Sequence, residues 1–273
     1  MKLYDRNKIY AMDCIEGMNR YPEGFADVIV TSPPYNMGVG YNGYHDSHPR
    51  DAYLDWLEHV AIACKRLLSD DGSFFLNLGS SLKDPWMSMD VAARVRNHFV
   101  LQNTIHWVKS VTIDSPQHGE VSVGHYKPIN SKRFHHDAHE YIFHFTKSGS
   151  VQLDKLSIGV EYADKTNIKR WKTPNGSDRR DRGNIWYIPY ETVCKSKDHP
   201  CAFPVALPKM CIQDHGVRKG MVVVDPFMGR GSTAIAAVDL GVDFVGFDID
   251  PDYVDGACTW VHEFMLSRSA DMT

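Results

Sequence analysis

The chain has 273 residues, 43% of them hydrophobic. That is enough for one sizeable core, or one core carrying a smaller lobe, and it excludes a small disulfide-stapled or wholly disordered protein. A net charge of −4 argues against a protein that binds nucleic acid over its whole surface. No run approaches the roughly 18 apolar residues needed to cross a bilayer, so no membrane partner is expected. The six cysteines form no CxxC pair and the first residues carry no apolar leader, so the expected location is a reducing cytoplasm.

In chain order, residues 27–31 read as a short apolar strand that runs into Ser32-Pro33-Pro34-Tyr35, where the prolines end any ladder. Residues 51–68 carry apolar side chains at helical spacing (Leu54, Leu57, Val60, Ala61, Cys64, Leu67, Leu68) and stop at Asp70-Asp71-Gly72. A strand at 73–78, a helix at 87–98 and a strand at 101–109 follow. This alternation predicts a parallel sheet covered on both faces. Regular pattern fails from 111 to 134, resumes as a strand at 140–146, and is absent again from 147 to 200, which reads as an insertion or small lobe. Helices at 206–215, 232–240 and 252–266 then alternate with strands at 222–224 and 244–247.

Charge is unevenly spread. Residues 165–182 hold seven basic side chains against Asp178 and Asp181, net +5, whereas residues 225–273 hold nine acids against Arg230 and Arg268, net −7. A phosphate backbone would meet the first stretch, through Lys169, Arg170, Lys172, Arg179, Arg180 and Arg182, and avoid the second. The alternative is a solvated charged loop beside a solvated acidic face.

A strand, Met221-Val222-Val223-Val224, leads into Asp225-Pro226-Phe227-Met228-Gly229-Arg230-Gly231-Ser232-Thr233, a glycine turn that opens a helix. About twenty residues on, a second strand ends in Asp248. Glycines let the main chain approach a nucleoside ligand, and an acid at the next strand's end can accept its ribose hydroxyls. An ordinary tight turn and a dinucleotide site both remain open on this unit alone. The third glycine of the dinucleotide fingerprint is replaced by Ala234, and Asp225 suits an ammonium or sulfonium better than a pyrophosphate, so S-adenosylmethionine fits better than a nicotinamide cofactor.

Thr31-Ser32-Pro33-Pro34-Tyr35 resembles the catalytic motif of DNA amino-methyltransferases, and Asp225-Pro226-Phe227-x-Gly229-x-Gly231 resembles their cofactor motif. With the catalytic motif first, the order is similar to that of the β subgroup. The likeness extends over Asp13-Cys14, Gly79-Ser80, residues 128–131, 139–147, His199-Pro200 and Phe203-Pro204. It implies an α/β, three-layer, Rossmann-like methyltransferase sheet in circularly rearranged order. Residues 1–146 would form the catalytic half, 147–199 a target-recognition lobe and 200–273 the cofactor-binding half. It further implies S-adenosylmethionine as cofactor, with Asp13, Cys14, Thr31, Asp225, Pro226, Phe227, Gly229, Gly231, Ser232, Thr233 and Asp248 around it, and Asp248 at the ribose. The implied partner is duplex DNA, with room for a companion restriction endonuclease, in a monomer or homodimer. Ser before Pro-Pro, and Phe203 where adenine enzymes commonly carry Lys, imply cytosine N4 as the target; adenine N6, or an amino group of RNA, is the alternative.

The chemistry accounts for the motif. The lone pair of an exocyclic amine is delocalised into the ring; two acceptors aimed at its hydrogens, Ser32 Oγ and the Pro33 carbonyl, would free it for attack. The prolines pre-aim that carbonyl, and Tyr35 would stack on a base flipped from the duplex. A strand-ending turn is the plain alternative for the tetrapeptide. His135, His136, His139 and His144 lack a cysteine nearby and a common face, so no metal is expected, and no G-x-S-x-G elbow supports a hydrolase. Trp171, Trp186 and Tyr187 suit either a base-reading surface or a lobe core. A nicotinamide oxidoreductase and a non-catalytic DNA-binding module are the readings from other classes.

Overall fold

A computed structural model describes residues 5–115, 119–124, 132–135, 137–170, 177–189 and 202–271. The first half contains β1 (Lys8–Ala11), α1 (Cys14–Asn19), β2 (Ala26–Thr31), α2 (Arg50–Leu67), β3 (Leu68–Leu78), α3 (Met87–Val95), β4 (Val100–Ser115), β5 (Gly119–Gly124) and β6 (His139–Thr146). The second contains α4 (Thr166–Arg170), β7 (Ile185–Pro189), α5 (Ala206–His215), β8 (Val222–Asp225), α6 (Ser232–Leu240), β9 (Asp243–Asp248) and α7 (Pro251–Asp271).

The nine strands among the described residues join one sheet in the order β1-β9-β8-β2-β3-β6-β4, with β5 and β7 both on β4. Side chains alternate across it. Ile29, Phe74, Val224 and Phe247 face one way, onto Met18 of α1, Leu54 and Leu57 of α2 and Val91 of α3. Val28, Val30, Phe75 and Val223 face the other, onto Leu207 and Ile212 of α5, Ile235 of α6 and Ala257 of α7. This is the three-layer arrangement expected of strands that are apolar on both faces. Among the described residues no helix is long and apolar enough to cross a membrane.

Four features differ from the sequence reading. The sheet is mixed, because β6 runs antiparallel to β3 and β4. The expected break after residue 110 contains a hairpin, since β4 continues to Ser115 and pairs with β5. Inside the supposedly irregular stretch, β7 pairs with β4 in parallel. Its buried Trp186 and Ile188 alternate with exposed Ile185 and Tyr187, so apolar residues on both faces conceal the two-residue period. Finally β1, with Ile9 its one buried residue, is too short and polar to show a period, yet it pairs with β9 and delivers Asp13 to the end of the sheet.

Candidate active site

Strand register brings the singled-out residues to one end of the sheet. Ala11 pairs with Asp248, Asp225 with Gly246, Ile29 with Val224, Thr31 with Leu76 and Leu78 with Tyr141. Asp13, Asp248, Asp225, Ser32, Gly79 and Glu140 therefore follow one another along the ends of β1, β9, β8, β2, β3 and β6. The chain leaves β8 through α6 toward β9 and leaves β2 through α2 toward β3. Neighbouring connections thus diverge at the crevice where open α/β sheets bind ligands.

On the cofactor side, Gly229 (φ 50°) and Gly231 (φ 94°) hold left-handed conformations, and a Cβ at Gly231 would lie 3.1 Å from that of Ala257. Asp248 is drawn into the turn: Oδ2 accepts the Gly229 N–H at 2.8 Å and Oδ1 the Asp250 N–H at 3.0 Å. A carboxylate offers about four acceptor positions, so both oxygens retain capacity for hydroxyl groups. Burial pushes its pKa up. Asp13 caps α1 by accepting the Glu16 N–H at 2.9 Å, and the Cys14 thiol behind it is buried, which raises its pKa strongly. Asp250, which the sequence reading did not single out, is 4% exposed; Oδ1 accepts the Asp252 N–H and Oδ2 has no partner among the described residues. The glycine turn, Asp248 and this orphaned acceptor suit a nucleoside-bearing cofactor.

Asp225 does something the sequence did not suggest. Its buried carboxylate accepts from Thr31 Oγ1 at 2.6 Å, Thr233 Oγ1 at 2.6 Å and the Phe227 N–H at 3.0 Å. It clamps the end of β2 to the start of α6, joining the two motifs through one anion. Burial pushes its pKa up to about 6, against the lowering effect of those three donors. Phe227 packs edge-on against Trp56 at 5.5 Å, and Ser232 Oγ donates to the Phe203 carbonyl.

The Ser32–Tyr35 turn is held from beneath. Ser32 Oγ lies 2.7 Å from Tyr35 Oη, which donates to Glu140 Oε2 at 2.9 Å. Asn77 Nδ2 is 2.7 Å from both Tyr35 Oη and Glu140 Oε2, and the Lys109 ammonium pairs with Glu140 Oε1. Burial, then the Glu140 charge, raises the Tyr35 pKa well above its ordinary value. Gly79 makes room for this arrangement, since a Cβ there would sit 2.8 Å from the Tyr35 ring. Tyr53 Oη donates to the Pro34 carbonyl at 2.6 Å, while the Pro33 carbonyl accepts from no group among the described residues. Beyond the turn, the Asp46 carboxylate gathers the N–H groups of Asn36, Met37 and Val39 and shapes the following loop. Sequence reasoning missed Asn77, Glu140 and Lys109. The available signal was a polar side chain within Phe74-Phe75-Leu76-Asn77-Leu78 and another opening an apolar strand, since buried polar groups are the informative exceptions.

The basic stretch divides in two. Arg179 donates to the Leu156 and Ser157 carbonyls, Arg182 to that of Ile158, and Lys165 pairs with Glu161 and Asp178. These three tie residues 156–165 to residues 178–182. Lys169, Arg170 and Arg180 are exposed. Lys172 and Trp171 lie outside the described residues, as does His136. Trp186 is buried and donates to the Gly183 carbonyl, whereas Tyr187 is 64% exposed. His144 lies in a buried cluster with Ser73 and His215 at the other end of β3.

Residues 26–258 match the DNA methylase family of N6 and N4 methyltransferases. The chain belongs to that family. This methylase is 28% identical over 261 residues to the type II methyltransferase M.BglII of Bacillus subtilis, covering 91% of this chain and 67% of that protein. It is 27% identical to the DNA adenine methyltransferase YhdJ of Escherichia coli, over 89% of this chain and 78% of that one. Its fold is that of S-adenosylmethionine-dependent DNA methyltransferases. The cytosine-N4-specific PvuII DNA methyltransferase superposes with a TM-score of 0.68 at 20% identity, over 94% and 90% of the two chains. A DNA modification methylase of Thermus thermophilus complexed with S-adenosyl-L-methionine gives 0.63 at 24%, over 94% and 93%. Family membership sets aside the nicotinamide oxidoreductase and the non-catalytic binding module.

Proposed function

We propose that this methylase transfers a methyl group from S-adenosylmethionine to N4 of a cytosine flipped out of duplex DNA. The observation that carries the reading is the neutral Ser32 hydroxyl at the end of β2, beside a Pro33 carbonyl that accepts from no group among the described residues. Two such acceptors can take the two hydrogens of one amine and restore its lone pair. When bound, S-adenosylmethionine supplies a methyl group made electrophilic by the sulfonium charge. Asp248 and Asp13 are the groups to hold its ribose and adenine, with Phe227 and the glycine turn against it. Asp225 keeps that turn and the catalytic turn in fixed relation. Tyr35 is the aromatic neighbour of the target base.

Adenine N6 is the second reading, favoured by the likeness to a DNA adenine methyltransferase. The deciding experiment uses methyl-labelled cofactor and unmethylated mixed-sequence DNA, digested to nucleosides. The expected product is N4-methylcytosine. N6-methyladenine would keep the acceptor pair and move the target, whereas 5-methylcytosine would refute the mechanism, because that reaction needs a cysteine nucleophile and the Ser32 to Tyr35 turn contains none.

The stretch between residues 147 and 199 is the proposed target-recognition region, with Lys169, Arg170 and Arg180 toward phosphates. Replacing these three with Ala should flatten the salt dependence of DNA binding by up to about 0.9 log units for each phosphate no longer neutralised, with cofactor affinity unchanged. An unaltered salt slope in fluorescence-anisotropy titrations would return the basic run to a solvated face. Arg179 and Arg182 are left in place because their hydrogen bonds to main-chain carbonyls support the lobe.

A further inference from the structure

We propose that Glu140 is a positioning residue that, acting through Tyr35, fixes the Ser32 hydroxyl as a hydrogen-bond acceptor toward the target amine. The inference rests on the reading that Ser32 receives that amine. A serine hydroxyl both donates and accepts, so its use as an acceptor depends on where its single hydrogen points. Left undirected, it could donate to the ring nitrogen beside the amine and leave the amine unpolarised.

The hydrogen bonds determine the direction. Glu140, paired with the Lys109 ammonium, is an anion that only accepts. Tyr35 must therefore spend its one hydrogen on Glu140 Oε2, 2.9 Å away. Asn77 supports the same polarity, since its Nδ2 faces both Tyr35 Oη and Glu140 Oε2 at 2.7 Å and only the amide's nitrogen end can satisfy a carboxylate. With its hydrogen committed, Tyr35 Oη can only accept from Ser32, 2.7 Å away. The Ser32 hydrogen is thereby turned inward, Asn77 Nδ2 lies 3.3 Å from one of its lone pairs, and the other is left for the amine. Glu140 comes from β6, Asn77 from β3 and Lys109 from β4, so the device is assembled across three strands and anchored in the sheet. Gly79, just beyond the end of the neighbouring strand β3, leaves the space that Glu140 occupies: a Cβ there would lie 2.8 Å from the Tyr35 ring and 3.4 Å from the Glu140 carboxyl carbon.

The test is a double-mutant cycle on the full chain with unmethylated mixed-sequence DNA. Tyr35→Phe keeps the ring and removes the link. Glu140→Met combined with Lys109→Met removes the anchor without leaving a lone buried charge. Each should lower kcat about tenfold or more, with KM for DNA, calorimetric cofactor affinity and thermal midpoint little changed. In a Ser32→Ala background each should cost less than about twofold, because the hydroxyl they orient is gone. Costs that multiply in that background would overturn the inference alone, as would full activity of Tyr35→Phe. Full activity of Ser32→Ala would overturn the reading of Ser32 and this inference with it. Should the double methionine variant fail to fold, Tyr35→Phe carries the cycle unaided.

Discussion

Ser32→Ala should slow methyl transfer by about 10²–10³-fold, the cost typical of removing one preorganised group that stabilises developing charge. The loss is bounded because the Pro33 carbonyl survives the substitution and still accepts one amine hydrogen. The surroundings should also hold. Tyr35 Oη keeps Glu140 and Asn77 as partners, and the Pro34 carbonyl keeps Tyr53. The deficit should therefore fall on kcat in single-turnover assays, with DNA and cofactor affinities within about twofold of the parent. An interaction realised mainly in the transition state shows this split, whereas a ground-state interaction would raise KM. Transfer at the parental rate would remove Ser32 from the chemistry.

The two motif-bearing turns were legible because each carries unusual local chemistry. Consecutive prolines stop a strand at Ser32, and a glycine turn after Val224 opens a helix. Their distance in the chain, 194 residues between Thr31 and Asp225, conceals that they share one carboxylate. The sequence showed Asp225 as an acid beside a glycine turn, which reads as a ligand neighbour. Its three donors come from β2, the turn and α6, and only the parallel pairing of β2 with β8 brings them together. The same limit applies to Glu140. Its strand was legible from Tyr141 to Thr146, but its partners lie on β3 and β4, and the antiparallel placement of β6 between those two strands leaves no local trace. Arg179 and Arg182 illustrate the reverse error. A run of like charge reads as one surface, and folding spends part of it on main-chain carbonyls.

At the other end of β3, acid should weaken the fold through a second buried network. Ser73 Oγ lies 2.9 Å from both His144 Nε2 and His215 Nδ1, and His144 stacks on Phe75 at 4.4 Å. Burial lowers His144 to about pKa 3, with His215 adding to the effect. Burial and then the Arg218 charge lower His215 to about 4, while Asp27 and Asp71 oppose this. Both rings are thus neutral when folded, and the unfolded chain binds the extra protons. The stability contribution is complete above about pH 6.5 and is lost as pH falls toward 4 for His215 and toward 3 for His144. Asp225 and Asp214, both raised to about 6 by burial, act in the opposite sense below that value, so the parent's own profile mixes the two. His215→Asn separates them: an amide can still meet Ser73 Oγ but does not titrate. Between pH 7 and pH 5 the parent should lose roughly 2 kcal/mol relative to the variant in urea unfolding, the linkage expected for a drop of two to three pKa units. A constant difference across that range would mean that His215 is not held neutral by its surroundings, and that the Ser73 cluster is a packing feature without a protonation cost.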